Sequence, residues 1–130
     1  MKRDMDLVRD ILLAIEANSF PDLNKLLKFL NTGQRSFDDP VCHHIKMLVD
    51  EVGFISAEEF KSYGGPNWLR IELTWQGHEF LDSVRDIEVW KAAKSGAEAA
   101  GGFSIDLLKA LAKGLLRKKI EQHTGVELDI

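Results

Sequence analysis

Cys42, His43 and His44 stand side by side, and with His78 they are the residues of this 130-residue chain that could hold a metal or attack an electrophile. Metal binding needs ligands that converge. Neighbours on a helix diverge by roughly 100° each, so the three consecutive residues cannot close on one ion, and His78 would have to arrive from a distant segment. The sequence has no i, i+4 ligand pair and no CxxC, so neither a metal nor a cofactor is expected. A nucleophilic Cys42 would require a nearby base and an oxyanion site, and no pattern supplies them, so the chain reads as non-catalytic. His44 lies three residues from Val41 and four from Leu48 and reads as a partly buried, hydrogen-bonded histidine. His78, in the first turn of its helix, reads the same way.

The other chemistry open to the chain is phosphate recognition. Lys109, Lys113 and Arg117 recur every four residues and share one helix face, widened by Lys118 and Lys119. Phosphate contact needs only positive charge in register, each contact adding a salt-dependent increment. Leu108, Leu111, Leu115 and Leu116 lie on the same helix and offer a dimer or docking interface, either for a homodimer or for packing on the rest of the chain. The net charge of −4 opposes binding driven by bulk charge. Up to Lys94 there are 12 Lys and Arg against 16 Asp and Glu, and from Ser95 five of each, so the acidity lies in front. Trp68, Trp75 and Trp90 could stack bases, but Trp75 and Trp90 sit at helical positions that suit packing. The Gly pairs 64–65 and 101–102 lack the strand-loop-helix setting of a phosphate loop.

Composition is that of an ordinary globular protein, 45% hydrophobic and 29% charged. Apolar runs fall far short of the roughly 20 residues that span a bilayer, so no membrane association is expected. The opening MKRDMDLVRD has no apolar stretch typical of a signal peptide. A single cysteine fits a reducing cytoplasm.

The elements that must position these residues follow from periodicity and caps. Asp4 or Asp6 caps a helix to about Ala17, with Val8, Ile11, Leu12 and Ile15 as its apolar stripe. Residues 23–30, LNKLLKFL, read as a short helix, although alternation also permits a strand. Ser36 to Pro40 starts the next helix, which runs through Val52 and buries Val41, Ile45, Leu48, Val49 and Val52 before Gly53 ends it. Phe54 and Ile55 begin a hairpin arm, Tyr63 to Asn67 form its loop, and Trp68 to Thr74 return as a half-buried strand. Thr74 caps a long helix to about Lys94. SGAEAAGG reads as a linker, and Ser104 caps the last, amphipathic helix to about His123.

The order indicates an α+β fold: a winged helix-turn-helix-like domain with a two-stranded wing over residues 1–94, a flexible linker over 95–103, and a C-terminal amphipathic helix and tail over 104–130. In such a domain the third helix reads base edges and the wing touches the backbone or minor groove. The outward positions are then Cys42, His43, Lys46, Met47, Asp50 and Glu51. Double-stranded DNA would be contacted by His43, Lys46, Lys61, Asn67, Arg70, Lys109, Lys113 and Arg117. Asp38, Asp39, Asp50 and Glu51 would be repelled by phosphate, which keeps a second class open: a protein-interaction module, adaptor or inhibitor of a host protein, that binds no DNA.

Three blocks in order, MKRDMDLVRDILLAIE, VCHHIKMLVDEVGFI and LTWQGHEFLDSVRDIEVW, resemble a bacterial family termed domain of unknown function 2513, common in phages and prophages. The likeness covers about residues 1 to 90. It implies a winged-helix-like fold and transfers no functional residues. The family tends towards a strand-like segment before the second block, where LNKLLKFLNTGQRS looks more helical.

Overall fold

The first turn of each helix is fixed by a short polar side chain, and these caps set the architecture. The computed structural model describes residues 1–127, the side chains of 61 and 62 excepted. Its elements are α1 (Met5–Ala17), β1 (Phe20–Asp22), α2 (Leu23–Leu30), α3 (Pro40–Asp50), β2 (Ile55–Ser62), β3 (Gly65–Leu73), α4 (Trp75–Val84), α5 (Ile87–Ala99) and α6 (Ile105–Thr124). The fold is α+β, with six helices and one antiparallel sheet of order β1-β3-β2 among the described residues. The chain divides into two compact units, Met1–Glu79 and the remainder from Phe80.

In the first unit, Asp4 caps α1 by accepting from the Leu7 N–H, and Val8, Ile11, Leu12 and Ile15 are buried as their spacing predicts. Residues 23–30 are helical. Asp22 caps α2 through the Lys25 N–H, and Asn31 ends it in the left-handed conformation at φ 55°. Strand β1 has no counterpart among the expected elements, and it contains Pro21. It is tolerated because β1 is a three-residue edge, paired only with β3 through Phe20↔Ile71 and Asp22↔Leu69.

Asp39, rather than Ser36, caps α3, its carboxylate accepting from the Val41 and Cys42 N–H groups at 2.9 and 3.1 Å. The helix stops at Asp50, so Val52 lies beyond it and is exposed rather than buried. Cys42, expected on the outer face, is buried together with Val41, His44, Ile45 and Leu48. The hairpin is present. Its register slips between Ser56↔Glu72 and Glu58↔Leu69, which places one extra residue in β3. Arg70 sits in that bulge at φ 53°. The slip breaks the expected alternation of Leu69, Ile71 and Leu73: the deeply buried residues are Trp68 and Ile71.

The expected helix from Thr74 to Lys94 is two helices. Asp86 interrupts it by capping α5, accepting from the Glu88 and Val89 N–H groups at 2.9 and 3.1 Å, an alternative to continued helix that a short carboxylate readily offers. Trp75, expected to pack, is 76% exposed, whereas Trp90 is buried. The expected linker at 95–103 is helical as far as Ala99. Its small residues serve packing: Ala97 is fully buried, as is Ala93 one turn before it, and a Cβ on Gly96 would lie 3.2 Å from Leu111 Cδ1. Helices α5 and α6 pack together as a hairpin closed by residues 100–104. No helix among the described residues is long and apolar enough to cross a membrane.

Candidate interaction surface

Helix α3 and the β2–β3 hairpin bring His43, Lys46, Asn67 and Arg70 into the first unit, and Lys46, Asn67 and Arg70 each have a partner from another element. The Lys46 ammonium donates to Asp50 Oδ2 at 2.8 Å and lies 3.8 Å from Glu59 Oε1. The hydrogen bond to Asp50, followed by the charges of Glu59 and Asp50, holds it above the ordinary lysine value. The Arg70 guanidinium pairs with the Glu58 carboxylate across the hairpin. Asn67 does structural work, its Oδ1 accepting from the Leu23 N–H at 3.1 Å and tying the sheet to the start of α2. His43 is exposed. Lys61 lies opposite Pro66 in the hairpin, and its side chain falls outside the described residues.

The two histidines differ. His44 is buried as expected, Nε2 accepting from the Asp4 N–H at 2.8 Å and Nδ1 lying 2.6 Å from the Pro40 carbonyl, so the ring ties the start of α1 to the start of α3. The Asp4 contact requires an unprotonated Nε2, which puts the proton on Nδ1. His78 is exposed, not partly buried, with Nδ1 3.7 Å from Glu16 Oε2. The close approach at the start of α4 belongs to Gly77, whose Cα faces the Phe54 carbonyl. Burial raises the Cys42 thiol above its ordinary pKa, and Sγ donates to the Gln34 carbonyl at 3.3 Å.

Between α3 and the hairpin lies a cavity of about 140 Å³. Phe37, Cys42, Pro66 and Trp68 form its apolar walls, and His43, Lys46 and Glu59 supply its polar groups. Trp68 is 1% exposed, and its indole N–H has no acceptor. Sequence reading missed Glu58, Glu59 and Trp68 as members of this surface because their neighbours depend on a strand register that the bulge at Arg70 resets.

In the second unit the tail bases are divided. Lys113 is exposed, while Lys109 and Arg117 are half-buried. Lys119 Nζ donates to Asp86 Oδ2 at 2.7 Å, joining the end of α6 to the start of α5. That bond lowers the Asp86 pKa and raises that of Lys119. Of the four leucines offered as an interface, Leu108 is fully buried, Leu111 lies against Gly96, and Leu115 and Leu116 are half-buried. Charge follows the same division: nine Lys and Arg against thirteen Asp and Glu through Glu79, and eight of each thereafter.

A family model described as "Hypothetical protein (DUF2513)" matches residues 2–104. An "Uncharacterized protein" of Haemophilus influenzae is 33% identical over 122 residues, covering 92% of this chain and 99% of its own length. No solved structure matches.

Proposed function

The chain belongs to the family described as hypothetical protein DUF2513, and from that premise we propose that it is a non-catalytic protein-interaction module of winged-helix type, an adaptor or inhibitor acting in the cytoplasm. Helices α1, α2 and α3 followed by the β2–β3 hairpin keep the order of a winged helix, with β1 as the third strand. The observation that carries the reading is the pairing of Lys46 and Arg70, two of the cations placed where a winged helix reads DNA. Each is matched by carboxylates on its own surface, Asp50 and Glu59 for one and Glu58 for the other. Phosphates approaching this face would have to compete with those carboxylates for Lys46 and Arg70, and the first unit carries the whole net negative charge. A protein surface with basic or hydrogen-bonding groups meets no such barrier.

A second reading keeps double-stranded DNA as the partner and moves the contact to α6, where the segment 107–120 holds five bases and no acid, with Lys113 and Lys118 exposed. A photo-crosslinking residue placed at position 43 or at position 113 separates the two. The interaction module yields one discrete protein adduct from position 43 in cells that express the chain. Adducts to nucleic acid, or protein adducts from position 113 alone, would overturn it.

A further inference from the structure

We infer that β2 is a docking edge for a second copy of this chain: two β2 strands pair antiparallel about Phe60 and join two three-stranded sheets into one. The inference goes beyond the interaction reading above and does not rest on it. The open edge is the first observation. Strand β2 runs eight residues, Ile55–Ser62, and pairs with β3 at the end of the order β1-β3-β2. It has no other backbone partner among the described residues. The opposite edge, β1, is three residues long and carries Pro21, which blunts it. Strand β2 has no proline, and Ser56, Glu58, Glu59 and Phe60 are exposed along it. An unpaired row of N–H and C=O groups of this length is a template for another strand.

Charge selects which strand. Residues directly opposite in an antiparallel pair share a face of the sheet, so a two-fold pair centres on one residue facing its own copy. Centres at Glu58, Glu59 or Lys61 set like charges face to face, which is destabilising. Centres at Ser56, Ala57 or Ser62 bring no opposite charges together. The centre at Phe60 does: Glu59 stands opposite Lys61 of the second copy, and Lys61 opposite its Glu59. Phe60, 54% exposed, then meets its own counterpart and buries apolar surface that the single chain leaves in water. Lys46 lies 3.8 Å from Glu59, beyond hydrogen-bond range, so the Glu59 carboxylate keeps its own lysine while it faces the second one. Charges that usually keep an edge from pairing thus leave this edge one favourable symmetric register.

The test is sedimentation equilibrium of the full chain at low salt, over a concentration series up to about 1 mM. A concentration-dependent dimer is expected. Glu59→Lys and Lys61→Glu should each weaken it by about tenfold, since either change turns both cross-strand pairs into like charges. Glu59→Lys/Lys61→Glu together should restore it, because the pairs are then reversed rather than lost. A chain that stays monomeric throughout the series would overturn the proposal. So would a dimer indifferent to the single changes, which would move the contact to another surface such as α6, and so would a loss that the double change does not rescue.

Discussion

At the scale of single residues, His44 and Arg70 mark two different kinds of constraint. His44 satisfies the Asp4 N–H and the Pro40 carbonyl from inside the core, so His44→Ala would strand both groups and open a void. Stability should fall by about 2–4 kcal/mol in urea denaturation, with little change in the slope. Arg70 holds a positive φ that glycine adopts without strain, and its ion pair with Glu58 is exposed. Arg70→Gly should therefore leave stability unchanged or raise it by up to about 1 kcal/mol, measured the same way. The burial of His44 was legible from its spacing to Val41 and Leu48. The fate of Arg70 was not, because its partner Glu58 becomes a neighbour only once β2 and β3 are paired in a register that spacing alone does not reveal; for Lys46 the i, i+4 spacing to Asp50 was open to reading, and only the approach of Glu59 from β2 was hidden.

Among the elements, helix starts were legible where Asp, Ser or Thr precedes an apolar stripe, as at α1 and α6. Helix ends and breaks were harder to see. Asp86 looks like any exposed helical acid until its carboxylate is seen turning back to cap α5, and Gly96 looks like flexibility until Leu111 is seen against it. Two predictions belong here. A Cβ at position 77 would sit 2.2 Å from the Phe54 carbonyl oxygen, so Gly77→Ala should force the start of α4 off the sheet end, lowering stability by about 2–3 kcal/mol in thermal denaturation. Asp86 is held below its ordinary pKa by Lys119 and by its capping bonds, so its contribution is present above the unfolded-state value and is lost as pH falls through the folded one. The melting temperature should drop on acidification through and below the usual aspartate range, and Asp86→Asn should flatten that part of the profile.

For the whole molecule, the sequence signalled an α+β order and an acidic front, and both are in the structure. What it left hidden is how the charge is paired: Lys46 and Arg70, which a winged helix would turn to DNA, are answered by acids on the same face, while the acid-free run 107–120 lies on α6, where Lys119 pairs with Asp86. The most direct test is titration of a mixed-sequence DNA duplex with the purified chain from low to physiological salt, beside Lys46→Glu/Arg70→Glu. The interaction reading predicts that the two proteins behave alike, either failing to bind or sharing a weak affinity that Lys113→Glu removes. Tight binding by the wild type that falls steeply with salt and disappears in the Lys46→Glu/Arg70→Glu protein would contradict it, and would make α3 and the hairpin a DNA-reading surface.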